Sequence, residues 1–74
     1  MTNALKYEVW RKSTKHLLFS ETSLESALWR VNALLENANC ATIGALDAIL
    51  EAHDWDSAEG FASDHDFTIR RVPA

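Results

Sequence analysis

The chain has 74 residues, 47% of them hydrophobic and 24% charged, with two glycines and one proline; this is the balance of one folded domain and excludes a disordered tail or low-complexity linker. A chain of this size buries only roughly 60% of the surface its unfolded form exposes, which leaves little interior for a deep catalytic cavity. The net charge of −4 is unevenly spread: Lys6, Arg11, Lys12 and Lys15 oppose Glu8 alone near the start, Val31 to Ile69 holds no lysine or arginine, and Arg70 and Arg71 close the chain.

Such segregation predicts a dipolar surface. Cys40 is the only cysteine, which rules out an intrachain disulfide and fits a reducing compartment. The opening residues interrupt every apolar stretch with polar groups, so they resemble neither a signal peptide nor a membrane span. The expected location is the cytoplasm, or the host cytoplasm if the chain is phage-encoded.

From Leu5 to Arg11 apolar and polar residues alternate, with Leu5, Tyr7 and Val9 on one side and Lys6, Glu8 and Trp10 on the other, the period of a half-buried strand. A polar connection, Lys12 to Lys15, leads to a second apolar run, and the pair reads as a hairpin with a basic tip. Thr22 and Glu25 have capping-box spacing ahead of a stripe formed by Leu24, Ala27, Leu28, Val31, Leu35 and Ala38, which predicts a helix stopped near Asn37 and Asn39. Thr42 is a candidate cap for a second helix with Ile43, Leu46, Ile49 and Leu50 inward and His53 near the same face. Asp56 and Glu59 repeat the capping spacing, predicting a single helical turn closed by Gly60, after which Ala62 to Asp66 reads as loop. Phe67 to Val72 alternates as a last strand. The expected fold is a small α+β two-layer sandwich of order β-β-α-α-β, one domain over 1–74, with two helices on one face of a three-stranded, mainly antiparallel sheet. Strands are expected at about 4–11, 15–20 and 67–72, and helices at about 23–37 and 43–53.

Function is less legible. Two glycines leave no room for a phosphate loop or dinucleotide fingerprint, and Cys40 has no identifiable base beside it. No catalytic residue, metal ligand or cofactor is assigned, and the chain is expected not to be an enzyme. His53, Asp54, Asp56, Glu59, Asp64, His65 and Asp66 could together hold a metal ion in a small metal-binding protein or enzyme, but their spacing matches no calcium loop or zinc motif. The leading expectation is a protein-binding module or inhibitor, whose size suits a phage or mobile-element protein. Its acidic surface would comprise Asp47, Glu51, Asp54, Asp56, Glu59, Asp64 and Asp66, with Trp29 and Trp55 as apolar contacts, and would meet a partner bearing a basic patch. Edge strands of so small a sheet also invite a homodimer. The alternative is single-stranded nucleic acid bound by Lys6, Trp10, Arg11, Lys12, Lys15, Arg70 and Arg71, which requires a bare sheet face.

Overall fold

The computed structural model describes residues 4–35 and 39–74. Strands β1 (Leu5–Arg11) and β2 (His16–Glu21) form the hairpin, followed by helices α1 (Leu24–Ala33), α2 (Cys40–Ala52) and α3 (Trp55–Asp64), and then by strand β3 (Phe67–Pro73). The sheet order is β2-β1-β3, and both pairings are antiparallel. The first strand is therefore central, and the chain's last strand returns beside its first.

The described chain contains three helices where the sequence predicts two, so the β-β-α-α-β order is corrected to β-β-α-α-α-β. The predicted single turn and loop between Asp56 and Asp66 are in fact a ten-residue helix. Asp54 caps it by accepting from the Ser57 backbone N–H, and Ala58, Phe61 and Ala62 form its buried stripe. Gly60 does not close this helix but lies within it. Tertiary burial of Phe61 and Ala62 outweighs the roughly 1 kcal/mol that a mid-helix glycine costs.

Two caps are also displaced by a few residues. Ser23, not Thr22, caps α1 by accepting from Ser26 N–H, and Asn39 caps α2 in a reciprocal box with Thr42. Asn39 thus opens a helix where the sequence suggested an ending; Glu36, Asn37 and Ala38 lie outside the described residues. His53, expected on the packed face of α2, is instead its exposed left-handed C-cap.

Alternation along the strands sets the layers. Val9 pairs with Phe19 on one side and Ile69 on the other, and Val9, Phe67 and Ile69 bury against Ala27, Leu28 and Val31 of α1 and against α3. Helices α1 and α3 lie on this face, whereas α2 packs chiefly on α1 and α3. Leu46 is accordingly the only fully buried residue of α2.

Candidate functional site: the uncovered face of the sheet

Residues alternating with the core row point away from all three helices. They form ladder pairs in which Lys6 opposes Val72, Glu8 opposes Arg70 and Trp10 opposes Thr68, while Leu17 flanks Trp10 from β2. Thr68, Arg70, Leu17 and Ser20 are exposed, and Trp10 is half-buried among them. The sheet thus has one dry face and one open face.

The hairpin turn adds charge to the open face. The Lys15 amide donates to the Arg11 carbonyl at 2.7 Å, and Lys15 adopts φ 59°, a left-handed conformation that costs a non-glycine residue about 1 kcal/mol. The Lys15–Arg11 bond closes the turn between β1 and β2. Trp10, Arg11, Lys12, Lys15, Thr68 and Arg70 line one open concavity of about 380 Å³. Among the described residues neither Lys6, Lys15 nor Arg70 is in an ion pair. The indole Nε1–H of Trp10 is buried and has no acceptor, a situation that native structures seldom leave unexplained.

Not every predicted cation is free of partners, even within the concavity. Arg11 lies 4.5 Å from the Phe67 ring centroid and 3.9 Å from Asp66, and Lys12 Nζ donates to Ser63 Oγ at 2.7 Å. Both therefore tie the hairpin to the α3–β3 junction. Arg71 lies on the helix side, with its guanidinium 4.2 Å from the Trp55 ring centroid.

The acidic residues separate in the same way. Asp47, Glu51, Asp56, Glu59 and Asp64 are exposed on α2 and α3, on the layer opposite the open face, and none is in an ion pair among the described residues. Asp54 is the α3 cap; Ser57 donates to it from both side chain and backbone, which holds its carboxyl below the ordinary value of 3.8. Asp66 accepts from Ser13 Oγ at 2.8 Å and so belongs to the hairpin seam. Trp29 and Trp55 are half-buried and pack against the core, leaving part of each ring exposed.

Sequence alternation placed Lys6 and Trp10 in one row but could not bring Thr68 beside them. That required β3 to return alongside β1, a long-range pairing with no local signal. Among the described residues no three His, Cys, Asp or Glu side chains converge to hold a metal ion, and no described helix is long and apolar enough to cross a membrane. No protein-family model, curated protein or solved structure matches the chain.

Proposed function

We propose that this chain is a non-enzymatic binding module that takes single-stranded nucleic acid on the open face of its sheet. One observation carries the reading: Trp10 sits half-buried in a concavity whose rim supplies Lys15 and Arg70 without carboxylate partners. An indole surrounded by cations is suited to stack on a base while ammonium and guanidinium groups hold the phosphates. The unpaired Nε1–H gains an acceptor when a polar ligand settles against it and the flexible cationic side chains shift. Glu8 stands on the open face opposite Arg70 without forming an ion pair with it; the carboxylates of the far layer set up repulsion that the intervening sheet and salt screening reduce, and the resulting dipole orients the approach. The same reading places the chain in the cytoplasm, where the exposed thiol of Cys40 stays reduced.

The test is fluorescence anisotropy with a labelled mixed-sequence oligonucleotide pool at low salt. Binding should weaken as salt rises, and Lys15→Ala with Arg70→Ala should flatten that dependence. No binding to either single-stranded DNA or RNA at low salt would end the proposal.

A second reading is favoured by a separate observation, the five unpaired exposed carboxylates of α2 and α3. In it, Asp47, Glu51, Asp56, Glu59 and Asp64 meet a cationic protein surface, as an inhibitor or adaptor would. Neutralising them to Asn or Gln should abolish capture of that partner without changing oligonucleotide binding; retained capture would eliminate this reading.

A further inference from the structure

Glu8 is the one acid among the described ladder residues of the open face. It lies half-buried on the central strand, between Ser20 of β2 and Arg70 of β3 and next to Trp10 in the same row. A surface that holds phosphates gains no affinity from a carboxylate in its middle, because like charges repel. Pairing with Arg70 would neutralise it, yet the two are ladder partners that form no ion pair. Both carboxylate oxygens of Glu8 therefore remain acceptors without a cationic partner.

Residues sharing one face of a strand follow each other at about 7 Å, so a base lying on the Trp10 indole brings an edge within reach of Glu8. The two side chains select differently. An indole stacks on any base, because every base has a π-face. An ionised carboxylate only accepts hydrogen bonds, so it chooses by donors. Guanine offers two adjacent ones, N1–H and the N2 amino group. Adenine and cytosine each offer one amino group beside a ring-nitrogen acceptor, and thymine or uracil sets its N3–H between two carbonyl oxygens that the carboxylate repels.

We infer that Glu8 makes the open face selective for guanine: the base stacks on Trp10 and donates from N1 and N2 to the two oxygens of Glu8. Lys15 and Arg70 meanwhile hold the flanking phosphates. This inference rests on the nucleic-acid reading of the face and adds to it the base that is recognised. The repulsion that Glu8 exerts on phosphate then accompanies a contact that guanine alone makes in full; strands lacking guanine meet the repulsion without it.

The test is fluorescence anisotropy of the full chain at low salt, with short oligothymidylates that differ only in their central base. A guanine-centred strand should bind about tenfold tighter than an adenine-centred one, the lower part of the range for a bidentate base contact because the face is open to water. Two purines are compared so that stacking strength does not decide the outcome. Inosine, which keeps N1–H and lacks the N2 amino group, should fall between them, and Glu8→Ala should erase the difference between guanine and adenine. If that variant loses its circular dichroism, inosine against guanine on the wild type decides. Equal wild-type affinity for guanine and adenine, or for guanine and inosine, or a preference that survives Glu8→Ala, overturns the selectivity and leaves the nucleic-acid reading standing. No binding of any strand removes both. Competition by guanosine monophosphate as effective as by the guanine-centred strand would make the ligand a free nucleotide and overturn the assignment to a strand.

Discussion

Arg71 lies across the indole of Trp55, its guanidinium carbon 4.2 Å from the ring centroid, and Tyr7 approaches the same ring at 6.1 Å. Because Arg71 is the ladder partner of Tyr7, this contact joins two neighbouring strands to the first turn of α3. Residues that the sequence assigned to two opposed surfaces, one basic and one acidic, form a single packing unit. Trp55→Ala should therefore destabilise the fold by about 2 kcal/mol, below the range for a fully buried tryptophan. Arg71→Ala should lower the melting temperature while leaving oligonucleotide anisotropy unchanged; a loss of binding without a thermal shift would return Arg71 to the binding set.

Leu28 is fully buried where α1 meets the sheet. Leu28→Ala should cost about 3 kcal/mol by urea denaturation, combining lost transfer energy with a cavity. Leu34→Ala, at a position half open to solvent, should cost far less.

Lys15 separates stability from binding. Lys15→Gly removes a charge and also relieves the left-handed backbone at φ 59°, so the variant should gain about 0.5 kcal/mol in stability. Under the nucleic-acid reading its affinity should fall several-fold all the same. A variant both more stable and equally tight would remove the turn from the site.

Gly44 and Gly60 both lie inside helices, and a Cβ at either position meets nothing within 4 Å. Alanine should stabilise each by about 0.5–1 kcal/mol through reduced unfolded-state entropy and better helix propensity. A decrease in melting temperature would mean that these helices need local freedom.

Asp54 should give the fold a small acid sensitivity. Its carboxyl titrates below the ordinary 3.8 because Ser57 donates two hydrogen bonds to the ionised form, so its contribution is complete above that value and is lost as pH falls through the depressed one. Asp54→Asn preserves the cap but cannot titrate. Thermal melts of the variant should match wild type near neutrality and fall less steeply below pH 3.8.

The sequence alone was enough to locate the strands and to divide their faces. Period-two alternation in residues 5–11 and 67–72 names the row in which the sheet buries Val9, Phe67 and Ile69, although Leu5 at its end stays exposed, because a pleated strand admits no other division of its side chains. The α1 stripe was likewise legible, since burial at three- and four-residue steps leaves its mark locally. The third helix was not, because Gly60 and the surrounding carboxylates weaken its pattern and Phe61 becomes an anchor only once the sheet is there to receive it. Cap identity escaped as well, because the capping-box spacing of Thr22 with Glu25 draws the boundary away from Ser23, and Asn39 reads as a stop; serine and asparagine are in fact better N-caps than the threonines beside them.

Which residues share a surface was decided by tertiary structure alone. Trp10 meets Thr68 and Arg70 because β3 returns to the side of β1, a pairing across more than fifty residues that no short-range preference encodes. The same return lays Arg71 on Trp55 and turns Asp66 toward Arg11, bringing into contact residues that charge pattern had given to separate surfaces. Alternation fixes which way a side chain points from its own strand, but only the closing of the sheet determines what it finds there.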